Sequence, residues 1–180
     1  MRLALYEFRT GTETAGGNRV VYDLTADAAY FGAARVDGPA LVWQLEAEED
    51  GALLAHDVRL DPFAEWIVRC DRVDFPLGGI AYTHTHPGPG IRYLLHGELE
   101  IRTEGHSRFY GPGSAWFESG PEPVYAAASH HLETAFVRVL ILPAAWEGKR
   151  TIRYVDPADE NLPKLQRATV YLEHPIALPR

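Results

Sequence analysis

The stretch that decides the fold runs from Leu77 to Leu99 and reads LGGIAYTHTHPGPGIRYLLHGEL. It carries two histidines, His84 and His86, with one residue between them. Residues two positions apart on a β-strand point to the same face, so both imidazoles are expected to project into one space. The Pro-Gly-Pro-Gly sequence that follows cannot continue a strand ladder and ends the strand. Two histidines on one strand face, framed by glycine turns, predict a metal site inside a β-barrel.

The spacing of glycines and histidines in this stretch resembles the first conserved motif of the cupin superfamily. That motif reads Gly, five residues, His-x-His, three or four residues, Glu, six residues, Gly, and Gly90 stands here where the motif has its glutamate. The resemblance is to a small, single-domain, bacterial-type cupin with a degenerate metal motif. It implies an all-β fold, an antiparallel jelly-roll barrel or double-stranded β-helix, with the metal held by the two histidines. It also implies a homodimer.

A second cupin motif, Pro-x-Gly-x-x-His, has a degenerate counterpart later in the chain. Gly111 stands in place of its proline and Trp116 in place of its histidine, so a second usual ligand is missing. Glu118 would share a strand face with Trp116, and a buried carboxylate is rare unless it is paired or ligating. Its alternative is an exit to solvent before the next turn. We predict His84, His86 and Glu118 as the metal ligands.

Six side chains are predicted to line a substrate cavity. Arg138 interrupts an apolar strand, so it needs a carboxylate or a ligand anion unless its face is solvated. Its partner is either a carboxylate of the chain, such as Glu118 or Glu133, or an acidic substrate. The aromatic candidates line the cavity or fill the core, as most strand aromatics do. The predicted cavity residues are Tyr82, Arg92, Tyr93, Trp116, Tyr125 and Arg138.

Composition restricts the classes of function. The chain has 180 residues, of which 46% are hydrophobic, and a formal net charge of −8, which argues against a nucleic-acid partner. Cys70 is the single cysteine, so there is no internal disulfide, and it is expected to be a buried structural thiol. No apolar run is long enough for a signal peptide or a membrane span. We expect a cytoplasmic protein without membrane contact.

The order of strand and turn signals predicts one cupin-like domain over residues 1–180. Extra strands are expected in residues 1–60, the barrel core in residues 65–142, and a tail over residues 143–180 that wraps the barrel or a partner subunit. The segment 25–30 is weakly helical, and few short helices are expected elsewhere. Strands are never separated by long helical patterns, so a parallel sheet with crossover helices is not expected.

Two hypotheses for function follow. In the first, a divalent ion (zinc, iron, manganese or nickel) bound by the histidines serves a small metalloenzyme, an oxygenase, isomerase or lyase of a small organic acid or phenol. In the second, the barrel is a non-enzymatic module that binds or senses a small molecule without metal. The retained His-x-His favours the first, and Gly90 and Trp116 favour the second. No catalytic residue is assigned, because a fold does not fix a function.

Overall fold

Strands dominate residues 1–47 and 50–179, the part of the chain that the computed structural model describes. The strands before the barrel are β1 (Arg2–Phe8), β2 (Thr12–Thr14), β3 (Arg19–Asp23), β4 (Ala28–Phe31), β5 (Ala34–Val36), β6 (Ala40–Leu45) and β7 (Leu54–Asp57). The barrel strands are β8 (Trp66–Phe75), β9 (Ile80–Thr85), β10 (Gly90–His96), β11 (Leu99–Thr103), β12 (His106–Tyr110), β13 (Ala115–Glu118), β14 (Val124–Ala128) and β15 (Thr134–Pro143). The tail contains a 3-10 helix (Ala144–Trp146), β16 (Arg153–Tyr154), a second 3-10 helix (Pro157–Asn161) and β17 (Arg167–Ile176).

The eight strands β8 to β15 pair as a long hairpin folded over on itself. The first pairs with the last (β8 with β15), and then β9 pairs with β14, β10 with β13 and β11 with β12, all antiparallel. Folding this hairpin places the strands in two facing sheets, one ordered β13-β10-β15-β8 and the other β12-β11-β14-β9. This nested pairing is the jelly roll, and it confirms the predicted fold class.

Five of the N-terminal strands form a sheet of their own, ordered β4-β3-β6-β1-β7, and β2 pairs with β5 in a separate two-stranded sheet. One face of the five-stranded sheet packs on the outer face of the barrel sheet that contains β8, β15 and β10. Trp43 lies at the centre of the contact and donates its indole hydrogen to the carbonyl of Ile91 at 3.0 Å. The apolar side chains that the barrel sheet contributes include Val68, Cys70, Ile91, Tyr93, Val137, Val139 and Ile141.

Alternation along these strands gives the barrel sheet two different faces. The residues between the apolar ones point into the barrel, where Val73, Leu94 and Phe136 meet Leu99 and Ile101 of the opposite sheet. Leu99 and Ile101, which alternate with charged residues along β11, thus both face inward. Cys70 is fully buried in the outer layer, consistent with a structural thiol.

The tail covers one side of the barrel. β17 adds to the edge of one sheet by pairing with β8, and β16 adds to the other by pairing with β9. Lys164 and Gln166 of the segment between the two strands contribute to the lining of the barrel interior. Among the described residues, no helix combines the length and apolarity that a membrane crossing requires.

The weakly helical prediction for residues 25–30 is wrong. Asp23 Oδ1 accepts hydrogen bonds from the amides of Thr25 and Ala26, and Asp27 has a positive φ of 50°. These are the features of a tight turn, and the chain then reverses into β4, which pairs with β3. Local side-chain bonding to the backbone therefore prevails over the helical propensity of three alanines in this segment.

Candidate active site in the barrel

A cavity of about 510 Å³ lies inside the barrel, between its two sheets. This volume falls within the range of pockets for small ligands, about 300–1,000 Å³. Its floor is apolar and includes the aromatic side chains of Phe75, Trp116 and Phe136. The polar side chains on its walls include Asp71, His84, His86, Glu118 and Arg138, and the tail contributes the rim, which includes Lys149, Arg150, Thr151, Tyr154, Lys164 and Gln166.

A β-bulge in β9 aims His84 into this cavity. Ala81 pairs with Ala126 and His84 pairs with Val124, so β9 uses one more residue than β14 between these two pairs. The extra residue reverses the alternation, and Ala81 and His84 both face inward although they are three positions apart. Tyr82 is thereby turned out of the cavity. The prediction that it lines the cavity is corrected.

The tautomers of the two histidines follow from their backbone contacts. His84 Nδ1 lies 2.7 Å from the carbonyl oxygen of Tyr82, and His86 Nδ1 lies 3.2 Å from that of Thr151. A carbonyl oxygen can only accept a hydrogen bond, so each Nδ1 carries the ring proton. Each Nε2 is then left with a bare lone pair as long as the rings are neutral.

Burial favours the neutral form of both rings. Burial lowers the pKa of His84 below its ordinary value. The Tyr82 carbonyl and Glu118 act in the opposite direction and raise this pKa, while the cations of Arg138 and Arg92 lower it further. The pKa of His86 is lowered further, by burial first and then by Arg138, Arg92 and His84. The two Nε2 atoms lie 3.2 Å apart. Two buried lone pairs that face each other at this distance repel unless a cation or a donor lies beside them.

Arg138 provides one donor near this point. Its Nη1 lies 3.3 Å from His86 Nε2, while its Nε and Nη2 are paired with the two carboxylate oxygens of Asp71 at 2.6 and 3.2 Å. This answers the question that the sequence left open, because the ion-pair partner of Arg138 is a carboxylate on the neighbouring strand β8. Among the described residues, no such donor lies beside His84 Nε2, whose neighbour is the lone pair of His86 Nε2.

Glu118 lies beside the imidazole pair and is held by two other side chains. Its Oε1 accepts a hydrogen bond of 2.8 Å from the Trp116 indole, and its Oε2 lies 2.6 Å from Arg92 Nη2 and 3.7 Å from His86 Nε2. Arg92 is fully buried, and this burial lowers its pKa to about 10 in spite of the carboxylate. Glu118 therefore ends the strand inside the barrel and does not exit to solvent.

The structure also explains the glycine at the position of the motif glutamate. Gly90 pairs directly with Glu118 across β10 and β13, so the carboxylate of Glu118 reaches the same region from the neighbouring strand. A Cβ atom on Gly90 would approach the carbonyl oxygen of Val139 to 2.4 Å. A glutamate at position 90 would thus require a displacement of the β15 backbone.

The two imidazoles are spaced as two ligands of one metal ion would be, but Glu118, the third predicted ligand, does not converge on the same point. Two nitrogen ligands at about 2.0–2.1 Å from one zinc ion, in tetrahedral geometry, lie about 3.3 Å apart. The distance between the two Nε2 atoms matches this separation. A ligating histidine typically donates the N–H of its other ring nitrogen to a hydrogen-bond acceptor such as a carbonyl, and both rings do so here. Within residues 1–47 and 50–179, however, no three His, Cys, Asp or Glu side chains converge on one point. Glu118 must move from Arg92 toward the imidazoles to become the third ligand.

Three of the predicted cavity residues lie elsewhere. Tyr93 follows Arg92 directly, so it faces the N-terminal sheet, where its hydroxyl donates to Glu7 at 3.3 Å. Tyr125 points outward from β14 and stacks under Arg102. Arg92 lies behind the cavity wall and acts on the cavity through Glu118. Of the predicted set, only Trp116 and Arg138 line the cavity.

Sequence reasoning missed the polar residues on β8 and in the tail. Asp71 pairs with Arg138, and Arg69 pairs with Glu173 of β17, which lies more than a hundred residues further along the chain. A signal was present for β8, because Arg69 and Asp71 alternate with apolar residues in a strand that otherwise reads as buried. The same argument that singled out Arg138 applies to them.

No protein-family model and no curated protein matches the sequence. Among solved structures, an RmlC-like cupin from Shewanella frigidimarina is 14% identical and aligns over 51% of this chain and 95% of its own, with a TM-score of 0.40. The polyketide cyclase RemF from Streptomyces resistomycificus is 20% identical over 52% of this chain and 62% of its own, with a TM-score of 0.41. The DMSP lyase DddQ from Ruegeria pomeroyi is 26% identical over 46% of this chain and 45% of its own, with a TM-score of 0.38.

The barrel is a jelly roll. That assignment follows from the nested pairing of β8 to β15, which is complete within this chain. The N-terminal sheet and the tail lie outside that pairing.

Proposed function

We propose that this protein binds a divalent metal ion through His84 and His86, with Glu118 as a third ligand, and takes a small organic acid or phenol into the adjoining cavity. The observation that carries the proposal is the pair of Nε2 atoms 3.2 Å apart, each with its Nδ1 proton directed at a backbone carbonyl. A neutral ring with a bare Nε2 is the form of histidine that binds a metal.

The remaining residues of the site have separate roles in this proposal. The carbonyls of Tyr82 and Thr151 fix the tautomer and orientation of the two rings. Arg138 presents Nη1 at the edge of the imidazole pair, where it meets an anionic group of the ligand. The aromatic floor excludes water and takes the apolar part of the ligand.

The donor set bears on the identity of the ion. Two histidines and one carboxylate with open positions are the ligands of many non-haem iron centres, while zinc, manganese and nickel also accept imidazole and carboxylate. When bound, such an ion supplies Lewis-acid or oxygen-activating chemistry, as used by oxygenases, isomerases and lyases.

A second candidate is a metal-free module that binds or senses a small molecule. Arg138 Nη1 can donate a hydrogen bond to the lone pair of His86 Nε2, and Arg92 already pairs with Glu118. Most polar groups of the cavity wall therefore have a partner within the protein even without an ion. In this case the bare Nε2 of His84 accepts a hydrogen bond from a ligand hydroxyl.

Elemental analysis separates the two candidates. The protein is purified after growth with zinc, iron, manganese and nickel, beside a His84→Ala/His86→Ala variant. We expect about one divalent ion per chain in the parent and none in the variant, because the pair supplies two of the three ligands of an open site. Metal content near zero in both would overturn the metal-binding proposal and leave the metal-free module.

A matched pair of variants tests the third ligand. Glu118→Gln is expected to lower metal occupancy, because an amide is a much weaker ligand than a carboxylate. Glu122→Gln is the control, since Glu122 is exposed and lies four residues away on the same segment. Equal occupancy in the two variants would remove Glu118 from the ligand set.

A further inference from the structure

The charges on the polar wall of the cavity balance one another. The guanidinium of Arg138 is compensated by Asp71, and that of Arg92 by Glu118. Each imidazole has its Nδ1 at a backbone carbonyl, and a histidine that binds a metal through Nε2 does so as the neutral ring. Without an ion, this wall therefore carries no net charge.

A divalent ion at the imidazole pair would upset this balance. It would add two positive charges among groups that are buried almost completely, since Arg92 is 0%, Asp71 1% and Arg138 5% exposed. Uncompensated charge in a buried site is strongly unfavourable. The other charged groups do not correct it: Arg69 is paired with Glu173, Arg150 with Glu160, and the rim adds Lys149 and Lys164. Negative charge has to come from the ligand.

The floor of the cavity restricts the rest of the ligand. Trp116 and Phe136 lie edge to face with ring centroids 5.3 Å apart, and Phe75 lies 6.1 Å from Phe136. Together with Ile101 and Ala126 they form a continuous apolar surface on the cavity. Such a surface binds an aromatic or bulky aliphatic body and leaves a hydrophilic one poorly solvated.

We infer that the ligand of this cavity is a carboxylate with an apolar body and a second oxygen beside the carboxylate, and that it binds cooperatively with the metal ion. This inference rests on the proposed function. The carboxylate neutralises one of the added charges, and a neighbouring hydroxyl that releases its proton to the solvent neutralises the other. The two oxygens also fill coordination positions that the protein leaves open. Arg138 Nη1 is the nearest protein donor to this anionic end.

The test is a set of calorimetric titrations of Zn²⁺ into metal-free protein, with zinc chosen because it has no redox chemistry. The titration is run alone and with saturating 2-hydroxybenzoate, 4-hydroxybenzoate or 2-hydroxybenzamide. The first compound has both features of the inferred ligand, the second cannot chelate through both oxygens, and the third lacks the carboxylate. Binding of zinc by each compound in free solution is measured and subtracted.

We expect 2-hydroxybenzoate to lower the zinc Kd by at least about tenfold, a coupling of the size usual for two linked ligands. The effects of 4-hydroxybenzoate and 2-hydroxybenzamide should both be smaller, because the first cannot place its second oxygen beside the carboxylate and the second supplies only one negative charge. Linkage requires that zinc tighten 2-hydroxybenzoate binding by the same factor, and the His84→Ala/His86→Ala variant should show no such tightening.

The outcomes separate this inference from the proposed function. Zinc binding with one Kd in the presence and absence of 2-hydroxybenzoate would overturn the inference and leave the metal site intact. Equal effects of the two hydroxybenzoates would overturn the role of the second oxygen. Failure of zinc to bind under every condition would overturn the proposed function, and the inference with it.

Discussion

The two faces of the barrel sheet formed by β8, β15 and β10 have opposite character, although the same strands build both. On the outer face, Val68, Cys70 and Val139 are part of a continuous apolar layer under the N-terminal sheet. On the inner face, their neighbours along the chain, such as Asp71 and Arg138, form a row of buried charges. Residues that are adjacent in the same strand therefore belong alternately to the apolar layer under the N-terminal sheet and to the charged wall of the cavity.

The difference shows what each face contributes. Apolar burial on the outer face stabilises the fold roughly in proportion to the area removed from water. Buried ion pairs on the inner face contribute little net stability, because desolvation offsets much of their attraction. Stability therefore does not explain the inner row. Its presence on the cavity wall is consistent with a role in binding, as proposed above.

Breaking the inner ion pair is expected to produce the largest loss of stability. Arg138→Leu leaves the carboxylate of Asp71 buried without its partner, which costs about 3–5 kcal/mol. The free energy of unfolding is measured by urea denaturation. The Asp71→Leu/Arg138→Leu double variant removes the pair as a unit and should lose much less. A double variant that is as unstable as the single one would show that the inner face is a stabilising layer like the outer one.

Truncating an apolar side chain on the outer face should lower the free energy of unfolding somewhat less, and it should leave the metal content of the site unchanged. Ile141 is fully buried in the outer layer, and Ile141→Ala is expected to cost about 2–5 kcal/mol through lost burial and a cavity. Phe109→Ala is the control, because Phe109 is 78% exposed, and it should change stability by less than about 0.5 kcal/mol. Metal content per folded chain should stay at the parent value in Ile141→Ala. A lower value would mean that the two faces do not act separately.

The smallest expected effect is a pH dependence that arises on the inner face. The pKa values of His84 and His86 are lowered in the folded protein, so below about pH 6.5 the unfolded chain binds more protons. Stability of the metal-free protein should hold above that pH and fall as the pH decreases toward the folded pKa values. The slope is at most about 1.4 kcal/mol per pH unit for each histidine. The His84→Ala/His86→Ala variant should show a shallower decrease, and an unchanged slope would assign the effect to other groups.

The fold was predictable because most barrel strands alternate cleanly between turns that contain glycine or proline. In β11, for example, Leu99 and Ile101 alternate with charged residues and face inward, as a period of two requires. His84 and His86 lie side by side in the interior as the His-x-His pattern predicts. These features depend on contacts between near neighbours in the sequence, which periodicity records.

The errors occur where periodicity fails or where distant segments meet. The bulge in β9 reverses the alternation between Ala81 and His84, and nothing in the residue types announces it. Arg92 and Tyr93 are adjacent in a strand and cannot both face inward, so this error was avoidable. The contact of Glu173 with Arg69 joins segments far apart in the chain, and no local pattern predicts it. The single domain over residues 1–180, the homodimer and the cytoplasmic location stay predictions.

The central claim is that two bare imidazole nitrogens converge on one cation. A crystal of the zinc-loaded protein measured at the zinc absorption edge tests it most directly. We expect an anomalous difference peak about 2.0–2.1 Å from both His84 Nε2 and His86 Nε2. The absence of such a peak, with Arg138 in direct contact with His86 Nε2, would contradict the claim.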